Sequence, residues 1–236
     1  MVIELLFAAA LAVGANDAPP LAPTQLEYEV LRNGSAMGTS TLTLAQSPEG
    51  DWTLETQTVG TSGLAAMAGA SIFERSQFAW RDGRPELRHY RYAQALAWKD
   101  KRRELELLPG DGGIAYDDGK HAGRLAFEPG VMDRHVVVLA IARDVAAKAP
   151  VLEYLVADKD KVETNRYRVA GSEVITCRAG RFDTTRVERV REHAGRTTTS
   201  WLAAETQWLP VRIVQREPDG EVIEMVLKKL PRSPGP

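Results

Sequence analysis

At 236 residues, 44% of them hydrophobic, the chain is long enough for one sizeable β-rich core or two small ones. Its 30 basic and 32 acidic side chains give a formal net charge of −2, which argues against nucleic acid or an anionic membrane surface as a general partner. Cys177 stands alone, so an intramolecular disulfide is excluded, and at the end of a strand-like run it reads as a small buried hydrophobe rather than a nucleophile.

The first element in chain order is apolar. Val2-Ile3 and Leu5 to Val13 are interrupted only by Glu4, small residues follow, and Asn16 to Pro23 is Pro-rich. The pattern predicts a secretory signal peptide over residues 1–15 and a linker over 16–24, although no Lys or Arg precedes the apolar run. A buried N-terminal strand or helix is the competing reading. With no Cys near the cleavage region, a lipid-modified N-terminus is not expected. Later apolar runs are too short to cross a bilayer, so no integral span is expected once the signal is removed.

From residue 25 the chain reads as strands and turns. Leu26, Tyr28 and Val30 alternate on one face, and Arg32-Asn33-Gly34-Ser35 is a hairpin turn signal. Met37 to Ala45 and Trp52 to Val59 complete a three-stranded meander across the turn at residues 47–51. Gly60 to Gly69 is a small-residue loop whose Leu64 and Met67 are candidates for a lipid or partner contact, or else a plug for the core. Strands are expected at Ala70 to Trp80, Leu87 to Tyr92, Lys99 to Leu108, Ile114 to Asp117 and Arg124 to Phe127. The period then changes. Asp133 can cap a helix with apolar positions at Val136, Leu139, Ile141, Ala142 and Val145, ended by Pro150. The β-branched run Val136-Val137-Val138 leaves a strand open for its first part. Strand patterning returns at Leu152 to Ala157 and continues through a meander around Cys177 to Thr184 that ends near Leu230. The expected fold is mainly β: a strongly curved antiparallel sheet, a half-barrel or barrel-like meander, with one principal covering helix at about residues 133–148. It forms a single domain over residues 25–230, followed by a tail at 231–236.

Chemistry-bearing motifs are sparse. His89, His121, His135 and His193 show no metal-ligand spacing, so neither a metal nor a cofactor is expected. There is no Gly-x-Ser-x-Gly elbow and no phosphate loop. A hydrolytic reading would rest on Asp117, Asp118, His121 and His135 meeting in one cleft. Trp201 and Trp208, in an apolar hairpin region, are candidates to line a cavity for a hydrophobic ligand, against their default place in a core. Arg178 and Arg181 are candidates for an anionic head group, against ion pairing with Glu173, Asp183 and Glu188. No catalytic residue is assigned.

Ala179-Gly180-Arg181-Phe182-Asp183-Thr184, the preceding Gly171-Ser172-Glu173, and the later Thr198 to Ala203 and Leu209 to Ile213 resemble DUF3108, a family of bacterial envelope proteins of unknown function. Tyr28-Glu29-Val30 and Gly38 resemble its early strand, and the segment from Phe127 to Asp133 its middle. Arg178 departs from the Pro common before Ala-Gly. The resemblance implies a periplasmic, β-rich domain over about Leu26 to Leu230 and supplies no catalytic set. The resulting expectation is a noncatalytic periplasmic protein that binds a hydrophobic or amphiphilic envelope ligand, a glycan or an envelope protein. A hydrolase of an envelope polymer and an adaptor docking by a sheet edge are the alternatives.

Overall fold

The computed structural model describes residues 21–63, 66, 69–96, 99–110, 113–192 and 195–230. The signal-like segment, Leu64, Met67 and the tail lie outside the described residues. The strands are β1 (Thr24–Arg32), β2 (Ser35–Gln46), β3 (Trp52–Gly60), β4 (Ser71–Arg81), β5 (Arg84–Leu96), β6 (Lys99–Leu107), β7 (Gly113–Asp117), β8 (Ala122–Ala126) and β9 (Met132–Asp133). Helix α1 (Val137–Ala146) follows, then β10 (Leu152–Asp158), β11 (Lys161–Cys177), β12 (Gly180–Val190), β13 (Thr197–Ala203), a 3₁₀ turn (Ala204–Thr206), β14 (Pro210–Arg216) and β15 (Val222–Lys229).

Turn chemistry sets the register. Asn33 and Gly34 both take positive φ, 50° and 79°, and so do Asp82 and Gly83 at 49° and 71°, the geometry that matches the twist of two-residue hairpins. Gly83 has a second reason to be glycine: a Cβ there would lie 2.6 Å from Arg143 Nη2 of α1. Gly171, at φ 119°, lies within the register shift between Val169 and Ser172, so β11 carries an irregularity yet continues as one strand.

All fifteen strands join one ladder, in the order β8-β7-β6-β5-β4-β3-β2-β1-β15-β14-β13-β12-β11-β10-β9. This corrects the expected strongly curved half-barrel or barrel. Among the described residues the ladder is open, with β8 at one end and β9 at the other, and no pairing joins the two. Local alternation predicts strands well, but it says nothing about whether the first and last members of a ladder meet, and here they do not. Pairing is antiparallel except for β9 with β10, where Met132 and Asp133 run parallel to Val156 and Ala157.

The helix is shorter than expected, because Asp133 serves the turn before it and Val136 is the cap. Val137, Leu139, Ala140, Ile141, Ala142 and Val145 are buried. They pack in a core with Leu26, Leu44, Leu54, Phe78, Tyr154 and Leu202, among others. Each of the Val, Leu and Ile side chains buried there contributes about 1.5–3 kcal/mol. Asp144, buried on the helix, accepts from Arg84 Nη2 of β5 and from the Tyr154 hydroxyl of β10, at 3.1 Å each. A second cluster joins Leu87, Tyr90, Leu105 and Ile114 to Val131 and Ala157.

Candidate functional site

Register places two consecutive rows of side chains across β3–β6. Thr56, Glu74, Tyr92 and Arg103 are cross-strand neighbours, and so are Gln57, Phe73, Ala93 and Arg102. Successive residues of a strand point to opposite faces, so the two rows face opposite ways.

The first row, with Ser76 and Tyr90 beside it, meets the segment that enters α1. Asp133 Oδ1 accepts from Ser76 Oγ at 2.8 Å and from the backbone N–H groups of His135 and Val136 at 2.8 and 2.9 Å. His135 Nδ1 lies 3.0 Å from Ser76 Oγ and Nε2 lies 2.8 Å from Thr56 Oγ1. With Ser76 donating to Asp133, the imidazole donates from Nδ1 and accepts the Thr56 hydroxyl at Nε2. Burial pushes the Asp133 carboxyl up to about 6 against these hydrogen bonds, and burial pushes His135 down to about 4. Glu74 accepts from Arg134 Nη2 at 2.9 Å and from the Tyr90 hydroxyl at 2.7 Å. Burial raises the Glu74 carboxyl, but the Arg134 charge and the hydrogen bonds from Tyr90 and Arg134 outweigh it and hold the group below its ordinary value. The Arg134 guanidinium sits 5.0 Å over the Tyr92 ring, and Arg103 reaches Asp158 of β10 at 3.3 Å.

Asp133, Ser76, His135 and Thr56 thus form a directed chain of hydrogen bonds. Its order is carboxylate, serine, imidazole, threonine, so Ser76 is held between two partners and is not presented to a substrate. None of the four lines either described cavity. The arrangement ties β3 and β4 to the start of α1. Among the described residues no cluster of His, Cys, Asp and Glu could hold a metal.

Phe73, Ala93 and Arg102 of the second row line an open groove of about 500 Å³. Phe73, Ala93 and Ala95 give it apolar surface, Asp100 and Arg102 flank them, and the β7–β8 turn at Asp118, Gly119 and Lys120 overhangs it. The turn is fixed by its own carboxylates. Asp117 Oδ1 accepts from Gly119 N at 2.6 Å, and Asp118 Oδ1 accepts from the N–H groups of Lys120 and His121 at 2.8 and 2.7 Å. Those backbone donors hold the Asp118 carboxyl below its usual range. Gly119, at φ 82°, lets the turn approach Arg102, since a Cβ there would lie 3.2 Å from Arg102 Cγ. A smaller cavity of about 30 Å³ lies between Val138 and Ile141 of α1 and Val187, Ser200 and Leu202 of the sheet, room for water and not for an acyl chain.

The residues singled out in the sequence are dispersed. Trp201 is buried, donates from Nε1 to Glu173 Oε1 and carries the Arg212 guanidinium 5.0 Å above its ring. It pairs with Arg186 and Arg212, so alternation points it away from the face on which Val187 and Ser200 line the small cavity. Trp208, at a left-handed φ of 62°, is half-buried against the core. Arg178 lies in the β11–β12 hairpin turn and Arg181 just after it on β12, and both are exposed. Asp117, Asp118 and His121 share the β7–β8 turn, with His121 Nδ1 3.7 Å from Asp118 Oδ2, whereas His135 belongs to the buried chain on β3 and β4. Cys177 is half-buried and free. Phe73, Ala93, Arg102 and Lys120 were not singled out. Their signal was weak but present, because Phe73 is an aromatic residue out of phase with Ile72, Phe78 and Trp80 on the same strand.

The sequence model of a family described as "Protein of unknown function (DUF3108)" matches residues 27–228. No curated protein matches the chain. Among solved structures, a beta-barrel-like protein of the domain of unknown function DUF1849 from Brucella abortus is similar at 12% identity and a TM-score of 0.59, covering 91% of this chain and 99% of that one. A provisionally assigned lipoprotein from Parabacteroides distasonis ATCC 8503 matches at 10% identity and a TM-score of 0.38, over 91% of this chain and 97% of its own.

Proposed function

This chain belongs to the DUF3108 family, whose function is unknown, and from that premise we propose that it is a noncatalytic, exported protein of the cell envelope that binds an envelope component. The observation that carries the reading is the open groove of about 500 Å³ over Phe73, Ala93 and Ala95. Its size falls within the roughly 300–1,000 Å³ of small-molecule sites, and it combines an apolar floor with polar and charged groups at its edges. Export is supported by the apolar run from Leu5 to Val13 and the small residues after it. The hydrolytic alternative is set aside, because His135 is remote from the turn that holds Asp117, Asp118 and His121 and is committed to Thr56 and Ser76.

Native mass spectrometry on protein released gently from the envelope fraction tests the reading. A bound lipid, glycan or peptide at fixed stoichiometry, lost in an Ala93→Trp variant that fills the groove, is the expected result. A bare chain that captures nothing from an envelope extract overturns it. A second reading has its own observation: Ala122, Gly123 and Arg124 of the end strand β8 are exposed. An adaptor docking by strand addition would lose its partner when proline replaces an outward-bonding residue of β8, while the Ala93→Trp variant would keep it.

A further inference from the structure

The groove's own chemistry separates the ligand classes left open above. Gln57, Phe73, Ala93 and Arg102 form one row across β3–β6, and Ser71, Ala95 and Asp100 form the next row of the same face on β4–β6. The result is a half-buried aromatic ring set in a flat patch of two alanines and edged by side chains that both donate and accept hydrogen bonds. Charge in the groove is mixed. Arg102, Lys120 and Lys101 line the groove together with Asp100 and Asp118, one cation in excess. Asp118 is engaged by two backbone donors, and Arg102 lies 3.7 Å from Asp117. Cations interleaved with carboxylates, with Arg102 already beside Asp117, form no cationic cluster for an anionic head group. The groove is also open along its length. An acyl chain laid in it would keep much of its surface in water, whereas a bound small molecule usually buries 70–90% or so of its surface.

A sugar ring has the opposite needs. One face is a plane of C–H groups that packs on an aromatic ring, and its hydroxyls donate and accept around the edge and tolerate water on the exposed side. We infer that the groove binds a neutral glycan, with one ring stacked on Phe73 across Ala93 and Ala95 and with its hydroxyls bonded to Asp100, Arg102 and the Lys120 turn. The inference rests on the binding function proposed above and narrows it to one ligand class.

The test titrates the full chain with the neutral tetrasaccharides chitotetraose, cellotetraose and maltotetraose, and in parallel with dodecyl phosphate below its micelle concentration. Calorimetry and ligand-observed NMR read the binding. Saturable binding of at least one tetrasaccharide is expected, insensitive to added salt and weakened tenfold or more by Phe73→Ala. Asp100→Asn, an exposed change that leaves the fold intact, is expected to weaken it severalfold. Circular dichroism confirms the fold of each variant. If dodecyl phosphate binds, no tetrasaccharide does, and Ala93→Trp abolishes the binding, the glycan inference is overturned while the groove keeps its function. If a tetrasaccharide binds equally well to Phe73→Ala and Ala93→Trp, the site lies elsewhere and the inference fails. If neither probe class binds, the inference is overturned and the binding function loses its support.

Discussion

The rows Thr56–Glu74–Tyr92–Arg103 and Gln57–Phe73–Ala93–Arg102 are one residue apart on the same four strands and have opposite characters. On the first, charged and polar groups are matched: Glu74 with Arg134 and Tyr90, Thr56 with His135, Arg103 with Asp158. On the second, an aromatic ring and small side chains lie under water, and the charges beside them are loosely held. Composition does not separate the two faces, since each mixes aromatic, charged and polar residues. What separates them is the partner. The segment that leads into α1 covers the first row, and there Glu74 and Arg134 answer each other's charge. Among the described residues a short turn overhangs the second, which leaves Phe73 and Ala93 open to something outside the chain.

Neighbouring substitutions on β4 would break this contrast most directly. Glu74→Ala strands the Arg134 charge in a half-buried site, and a loss of about 3 kcal/mol of stability is expected, toward the lower end for a broken buried pair because Arg134 keeps some contact with water. Urea unfolding measures it, and a loss no larger than that of an ordinary surface change would show the pair to be dispensable.

The covered row also has a pH signature. Asp133 titrates at about 6 when folded, above its ordinary 3.8, so between those values the folded state holds the extra proton and acidification stabilises it. His135 titrates at about 4 when folded, below its ordinary 6.5, so across nearly the same window the unfolded state holds the extra proton and acidification destabilises. The two contributions oppose each other. Relative to the wild type, Asp133→Asn should lose stability as pH falls from 6 towards 4, and His135→Gln should gain it, each by up to about 1.4 kcal/mol per pH unit. Unfolding midpoints measured across this range would show two diverging curves; parallel curves would mean that neither group titrates as described.

Phe73→Ala, one residue from Glu74, should cost about 1 kcal/mol of stability and remove most ligand binding, the reverse of the pattern at its neighbour. Smallest in stability is Arg102→Gln, within about 0.5 kcal/mol by thermal melting, with a severalfold loss of affinity. A variant that melts several degrees lower would place Arg102 among the structural charges instead.

Much of the strand layout was legible because strand period and turn chemistry are local. Asn33-Gly34 announced its hairpin, and Leu26, Tyr28 and Val30 announced the buried face of β1. The centre of α1 was legible from Leu139, Ile141 and Val145. Its start was not, because an Asp followed by an apolar run looks the same whether it caps a helix or the turn before it. The openness of the sheet was illegible, since which strands end a ladder depends on pairing and not on alternation. The irregularity of β11 at Gly171 was not legible either, since the backbone absorbs it and continues as one strand. The two faces of β3–β6 were illegible for a related reason. Glu74, Ser76 and Arg134 pass for ordinary polar positions until register brings them together, and the groove draws single residues from several elements. His135 was noticed, but with carboxylates it never meets.

The order of the ladder has a consequence for how the chain reaches this structure. From β1 to β8 each strand pairs with its sequence neighbour, and so does each from β10 to β15, but the two series are joined where β1 pairs with β15. There Lys228 bonds to Glu27, 201 residues away. Closing a flexible loop of that length carries an entropy penalty of about 5 kcal/mol, against far less for a two-residue hairpin. Each series can therefore zip up from its own turns, and the seam between first and last strands forms late, once both templates exist. Substitutions along β1 and β15 should consequently speed unfolding more than they slow folding, making the middle of the finished sheet the last part of it to assemble.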